Sequence, residues 1–499
     1  MQFEPREYQL KIAEKASKTN TLVVLPTGLG KTLIAAMVAK KRLEKHPQTK
    51  ILILAPTRPL AAQHKETFEK FLNQEVFLIT GKVNLEKRKE MYKVAKIISA
   101  TPQVILNDLE RKIFDLSDFS LVVFDEAHRA VKDYAYVPIA KKYYKTSRYS
   151  LILGLTASPG SSRERIDEIC DNLFIKQIEI RTEKDLDVKK YVKPVKFEWV
   201  YVDLTDDLKR IREELLGIEK EIIQSLKERG VISKKLTKKE LINLHKKLVE
   251  TYKQTKNGSL FGLISKLSIL LKIEHILELL ETQGMEALRK YFEKLKKSNK
   301  KFDKVLMNNE KIRRISLILS LSKEKEHPKV FKLVELIKQI LKKNEKAKII
   351  VFANYRDTVK KLNEILRNEG IKSDILIGQA RKGKGGLTQK EQIEKIKKFA
   401  NLEFNVLCGT SITEEGLDIP QVDYTIFYEP VPSEIRSIQR RGRTGRTHPG
   451  TVIFLITKKT RDEAYYWAAF HKEKKMKGIL FDLKNRKTLK KTLFDWLKV

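Results

Sequence analysis

Cysteine is nearly absent: Cys170 and Cys408 are the only two among 499 residues. They lie far apart and in no metal-ligand spacing, so they supply neither a disulfide framework nor a zinc site, and both are expected as buried thiols. Long apolar runs are also missing. Stretches such as Ile51-Leu52-Ile53-Leu54-Ala55 are far too short to cross a bilayer. Met1 to Arg6 lacks signal-peptide character, and no short basic amphipathic anchor stands out. No membrane partner is therefore expected, and cytoplasmic residence is the default. Acid is in deficit: 64 Asp and Glu face 102 Lys and Arg, a formal charge of +38. A soluble chain with that imbalance repels itself unless a polyanion is its partner, and nucleic acid is the first candidate. Methionine is scarce while Lys and Glu abound, as suits a thermophile. The 41% of hydrophobic residues excludes a disordered chain, and the length suits about three domains.

The stretch that organises the chain is Leu25-Pro26-Thr27-Gly28-Leu29-Gly30-Lys31-Thr32. It follows the apolar run Thr21-Leu22-Val23-Val24 and precedes an alanine-rich apolar segment, so it reads as strand, phosphate loop, helix. Gly28 and Gly30 let the backbone turn its amides toward a polyphosphate, and the helix starting near Lys31 offers its positive end. Lys31 is expected to reach the β/γ-phosphates of ATP, and the Thr32 hydroxyl a magnesium ion. The strict pattern has Gly where this chain has Leu25. Ahead of the loop, Gln9 either reads the adenine edge with its two-sided amide or is simply a polar residue on a helix face.

Short apolar strands alternate with helices from Ile51 onward, which predicts a parallel α/β sheet with its ligand site at the strands' carboxyl ends. Asp125 and Glu126 follow the strand Ser120-Leu121-Val122-Val123-Phe124. An acid there, opposite a phosphate loop, is where magnesium needs a carboxylate, with Asp125 holding the ion and Glu126 deprotonating the attacking water. His128 has no partner spaced for a metal and is expected to couple the site to its surroundings. Thr156 and Ser158 either hydrogen-bond the acidic cluster and shift with the nucleotide, or form a plain turn before Pro159-Gly160.

From about Leu204 to Ser322 the pattern changes to lysine-rich helices with apolar residues at helical spacing, a helical insertion between two α/β units. Its lysines are either a solvated face or a nucleic-acid grip, and the net charge favours the grip. A second α/β unit opens at His327-Pro328. It carries the flexible basic loop Arg381 to Gly386, and Gln439-Arg440-Arg441-Gly442-Arg443-Thr444-Gly445-Arg446 at a helix-to-loop junction. Four arginines there imply an anion, and Arg443 and Arg446 are placed to meet a γ-phosphate from outside its own loop. The aromatic tail, Tyr465, Tyr466, Trp467, Phe470, Phe494 and Trp496, is expected to pack back on this second unit.

Taken in order, Gly28 to Thr32, Asp125-Glu126-Ala127-His128, Thr156-Ala157-Ser158, Thr413 to Asp418 and Gln439 to Arg446 resemble the motif set of superfamily 2 DEAH-box helicases. The helical insertion narrows the resemblance to the branch of Hef, FANCM and the RIG-I and Dicer helicases, and within it to archaeal Hef. The resemblance implies two RecA-like domains, at 1–203 and 326–499, with a helical domain at 204–325 between them. It implies ATP and Mg2+ in the cleft, bordered also by Gly416 and Asp418, with Gln439, Arg443 and Arg446 supplied from the second lobe. Single-stranded DNA would touch Pro56, Thr57, Arg58, Gly81, Thr101, Pro102, Thr410 and Thr413, and branched DNA such as stalled forks and Holliday junctions would be the substrate. A nuclease, as a further domain or a partner, and a sliding clamp are implied in the same way, so the chain is either part of such a protein or a single-activity one. An RNA-stimulated duplex sensor of the RIG-I type is the nearest alternative, and a non-catalytic nucleic-acid scaffold a more distant one.

Overall fold

The computed structural model describes residues 4–378, 386–410, 419–442, 444 and 449–485. Thr413, Gly416, Asp418, Arg443 and Arg446 lie outside them, as do the basic loop from Arg381 to Gly385 and the aromatics Phe494 and Trp496. Among the described residues, no helix is long and apolar enough to cross a membrane.

The first sheet has seven strands: β1 (Thr21–Val24), β2 (Lys50–Leu54), β3 (Phe77–Ile79), β4 (Ile97–Ala100), β5 (Phe119–Asp125), β6 (Ile152–Thr156) and β7 (Gln177–Ile180). They stand in the order β3-β4-β2-β5-β6-β1-β7. The central strands are apolar on both faces and wholly buried, as a parallel sheet covered by helices on both sides requires. Successive residues feed opposite cores: Leu22, Leu52 and Val122 on one face, Val23, Ile51 and Val123 on the other. The register pairs Val24 with Thr156, Asp125 with Leu155, and Leu54 with both Phe124 and Ala100. Five strands therefore end level, and the polar segments that follow them open on one edge.

The second sheet has the order β10-β11-β9-β12-β13-β8. Its strands are β8 (Val195–Val202), β9 (Ile349–Phe352), β10 (Ser373–Leu376), β11 (Val406–Gly409), β12 (Tyr424–Phe427) and β13 (Gly450–Thr457). β8 falls within the span expected for the first lobe, yet it is the edge strand here. Its Phe197, Trp199 and Tyr201 are exposed on alternate positions, as one open face of an edge strand allows.

By contacts the chain forms two compact units. One joins Met1–Glu198 to Asn344–Phe454 and Tyr465–Val499, the other Trp199–Lys343 to Leu455–Ala464. The second unit contains the helices Asp206–Glu228, Lys238–Thr255, Gly258–Gln283, Met285–Lys296, Lys301–Met307, Glu310–Leu321 and Pro328–Lys343, with no strand among the described residues between 204 and 322. Thr237, with Glu240, closes a capping box on the helix from Lys238. Leu208, Ile211, Leu215, Ile273 and Leu280 build the core at helical spacing. Several of its lysines are tied to its own acids, Lys235 to Glu219 and Lys311 to Glu221 at 2.6 Å each.

The C-terminal helix Arg461–Asn485 packs on the second sheet as expected and on the first as well. Tyr466 does meet Phe454 of β13 edge-on at 5.1 Å. Further along, Met476, Leu480 and Leu483 join the core of the first sheet instead. A 25-residue helix spans roughly 37 Å, long enough to serve both sheets. Both cysteines are buried, and burial pushes each thiol up to about 12.

Candidate active site

The phosphate loop grows directly out of β1. Leu25 N–H donates to Thr156 O at 3.0 Å, so the chain stays paired one residue beyond the strand. Leu25 is fully buried in the core behind the loop, which explains why a large side chain is tolerated where the strict pattern has glycine. Gly28 and Gly30 have φ of 80° and 78°, the left-handed region where an L side chain is strained. Helix α2 (Lys31–Lys45) starts immediately afterwards. Lys31 Nζ lies over the loop, donating to the carbonyls of Leu25 at 3.0 Å and Pro26 at 3.4 Å.

Helix α1 (Glu7–Ala16) braces the far side of this loop. Tyr8 Oη donates to Leu29 O at 2.7 Å, and Gln9 Nε2 donates to the same carbonyl at 3.0 Å. Gln9 Oε1 accepts from Arg6 N–H at 2.8 Å. Gln9 is thus buried beside Gly30 and holds the loop itself, so it is more than a polar residue on a helix face.

Asp125 ends β5, two strands from β1, with Thr156 between them on β6. Burial pushes its carboxyl up, but His64, then Lys31 and the N–H of Glu126, outweigh that and hold it below the usual carboxylate range. It is therefore ionised at neutral pH, the form a magnesium ligand needs. One buried carboxylate, with the Thr32 hydroxyl in the first turn of α2, suits magnesium, which takes few protein ligands and completes its shell with phosphate oxygens and water. Glu126 sits at φ 50°, ψ 51°, a left-handed turn costing about 1–2 kcal/mol, which swings its carboxylate away from the strand line. Its Oε2 is buried and makes no hydrogen bond among the described residues. His128 Nδ1 approaches that oxygen to 3.2 Å off hydrogen-bond geometry, and lies 3.3 Å from Thr156 Oγ1.

Thr156 Oγ1 also accepts from Ser158 N–H at 3.1 Å, and Ser158 Oγ contacts Met476 Sδ at 3.0 Å. Thr156 thus borders the acidic cluster through His128, whereas the Ser158 N–H closes the turn and its hydroxyl faces Met476. Two further residues complete the acidic cluster. His64 Nε2 lies 2.8 Å from Asp125 Oδ2, and Tyr136 Oη donates to the backbone carbonyls of Asp125 at 2.6 Å and Leu54 at 3.1 Å. No local pattern in the sequence marks either one; both come from helices that only packing brings under β5.

In the second lobe, the helix Glu434–Arg441 ends at Gly442. A Cβ built on Gly442 would lie 1.8 Å from Thr27 Oγ1, so this helix end abuts the phosphate loop. Gln439 is buried on the same helix. The expectation that all four arginines imply an anion is corrected for two of them. Arg440 is fully buried, donating to Glu429 O at 3.3 Å and Asn354 Oδ1 at 3.0 Å, with its guanidinium 5.0 Å from the Phe352 ring centre. Arg441 pairs with Glu473 on the C-terminal helix. Carbonyls, ring faces and a carboxylate explain both without a phosphate.

The residues expected to meet nucleic acid form a second cluster, at the ends of the adjacent strands β2, β4 and β3. Helix α3 (Arg58–Leu72) follows β2 and is capped by Thr57, with Pro56 just before it. A Cβ on Gly81 would lie 3.2 Å from Arg58 Nη2, and Thr101 N–H donates to Ile79 O at 3.2 Å beside Pro102. Thr410 follows β11 in the second sheet and donates to Leu376 O at 3.3 Å. Among the described residues, no group of three or more His, Cys, Asp and Glu could hold a metal alone.

Comparison with known proteins agrees with the order of the domains. The DEAD/DEAH box helicase model matches residues 6–166, the Helicase conserved C-terminal domain 329–448, and the model described as "Putative ATP-dependent RNA helicase, helical bundle" 207–327. The crystal structure of the Pyrococcus furiosus Hef helicase domain is similar with a TM-score of 0.73 and 46% identity, covering 93% of this chain and 98% of that one. A Methanocaldococcus jannaschii protein named "Putative ATP-dependent RNA helicase MJ1505" is 46% identical over 96% of this chain and 61% of its own length. The ATP-dependent DNA helicase mph1 of Neurospora crassa is 33% identical over 92% of this chain and 41% of its own. The chain thus spans about half the length of these two relatives. With both lobes and the helical bundle matched, the chain belongs to the Hef/FANCM branch of the superfamily 2 DEAD/DEAH-box ATP-dependent helicases.

Proposed function

We propose that this chain is an ATP-driven translocase that unwinds or remodels branched DNA, such as stalled forks and four-way junctions. The observation that carries the motor part is the approach of Gly442 to Thr27 of the phosphate loop. In this reading Thr32 and Asp125 hold magnesium, which neutralises charge on the β- and γ-phosphates. Lys31 leaves the loop carbonyls for those phosphates, and Glu126 orients and deprotonates the attacking water. Arg443 and Arg446 meet the γ-phosphate, with Gln439 beside them and Gly416 and Asp418 bordering the nucleotide. Gln9 offers the adenine the second N–H of its amide nitrogen, since its oxygen is committed to Arg6 and its other N–H to Leu29 O. Single-stranded DNA lies over Pro56, Thr57, Arg58, Gly81, Thr101 and Pro102 in the first lobe and Thr410 and Thr413 in the second. Closure on ATP and opening after hydrolysis move the strand.

DNA as substrate is supported by the names of the Neurospora relative and by the likeness to Hef. The Methanocaldococcus relative's name and the helical-bundle model favour a second reading, an RNA-stimulated ATPase. A nuclease, as a further domain or a partner, and a sliding clamp belong to the first reading. Steady-state ATPase activity with single strand, duplex and forked or four-way DNA, beside matched RNA at fixed salt, separates the two. Greatest stimulation by branched DNA supports the first reading; greatest stimulation by duplex RNA replaces the substrate with RNA and leaves the site intact.

A further inference from the structure

His64 is a buried histidine whose ring is committed on one side only. Its Nε2 is 2.8 Å from Asp125 Oδ2, while its Nδ1 is buried with no hydrogen-bond partner among the described residues. A carboxylate offers only acceptors, so the proton in this bond sits on Nε2. The other oxygen, Oδ1, accepts from Glu126 N–H at 3.0 Å. Each oxygen of Asp125 is therefore fixed by a separate donor, one from its own strand end and one from α3.

Helix α3 is the element that matters. Its first turn carries Arg58 against Gly81, at the edge assigned above to nucleic acid. His64 lies six residues further on, roughly 9 Å along the axis. Between them Ser99 Oγ donates to Ala61 O at 2.7 Å, and beyond His64 the ring meets Phe68 edge-on at 6.3 Å. One rigid, well-anchored helix thus touches the candidate nucleic-acid edge at one end and a nucleotide-site carboxylate less than two turns later.

We propose that His64 is a positioning residue, which orients Asp125 for magnesium and transmits displacement of α3 by bound nucleic acid to that carboxylate. The inference rests on the reading of Asp125 as a magnesium ligand and of the start of α3 as a nucleic-acid contact. A shift of α3 that leaves the bond intact turns Asp125 with it, and a shift that breaks it frees Oδ2.

The test compares wild type, His64→Ala and His64→Gln, because glutamine places an amide donor at the reach of Nε2. Binding of a fluorescent ATP analogue is titrated with Mg2+, and ATPase activity is read with and without single-stranded DNA and RNA. His64→Ala should raise the Mg2+ concentration for half-maximal binding about 10–100-fold, the usual effect of removing a partner of a metal ligand. It should also reduce the ratio of stimulated to basal turnover, and His64→Gln should recover most of both. An alanine variant with wild-type Mg2+ dependence and stimulation overturns the proposal. So does a glutamine variant that folds, by its melting temperature, but recovers neither. Absence of Mg2+-dependent nucleotide binding or of nucleic-acid stimulation in the wild type overturns the underlying reading instead.

Discussion

Gly442 of the second lobe stands so close to Thr27 of the phosphate loop that no side chain fits between them: a Cβ there would lie 1.8 Å from Oγ1 and 2.7 Å from the Cβ of Thr27. Gly442→Ala should therefore push the helix end Glu434–Arg441 off the loop. Overpacking of this kind costs about 1–3 kcal/mol, so turnover should fall roughly tenfold or more. Combining it with Thr27→Ala removes the nearest atom and should restore part of the loss. Steady-state ATPase assays of the two single variants and the double variant check this.

Lys31 and Glu126 are expected to fail differently. Lys31→Ala removes the cation that reaches the β/γ-phosphates and should cut hydrolysis on the order of 10²–10³-fold while weakening ATP binding. Glu126→Gln keeps the shape of the left-handed turn but not the base, so ATP should still bind while turnover drops by about 10²–10⁴-fold. Equilibrium nucleotide binding beside single-turnover hydrolysis distinguishes them, and wild-type turnover in either variant contradicts the assigned roles.

The arginines after Gln439 should divide into two groups. Arg440→Ala loses hydrogen bonds from a buried guanidinium and should destabilise the fold by on the order of 2–3 kcal/mol, visible as a lower melting temperature. Arg446→Ala should leave melting nearly unchanged and reduce turnover by about 10³-fold or more if it acts as a finger. A loss under tenfold would make Arg446 a structural arginine like Arg440.

The cysteines give a prediction in pH. An unperturbed thiol ionises near 9, whereas burial pushes Cys170 and Cys408 up to about 12. At pH 8 the native chain should resist alkylation, and denaturant should expose two reactive thiols. Between pH 9 and about 12 the unfolded chain holds fewer protons than the native one, so stability should fall with rising pH, by at most about 1.4 kcal/mol per unit for each thiol. Chemical denaturation of wild type and of Cys170→Ser/Cys408→Ser across that range measures the difference.

Local chemistry was enough to mark the phosphate loop from Gly28 to Thr32 and the acids Asp125 and Glu126, and it left the hydroxyls Thr156 and Ser158 open between a cluster and a turn. Each is a strand end followed by residues whose backbone or side-chain needs are written in the sequence itself, and parallel sheets gather such ends on one edge. Packing decided the rest, because its partners are distant in the chain. His64 and Asp125 are 61 residues apart, and nothing in either segment signals the other. Nothing in the sequence separates Arg440 from an anion-binding arginine; only its burial against Phe352 does. β8 joined the second sheet because sheet membership depends on which edge is open, and Met476 to Leu483 reached the first core because helix length set their reach while periodicity gave only a buried face. Composition and motif order determined what chemistry this chain carries; tertiary packing alone decided which side chains hold that chemistry in place.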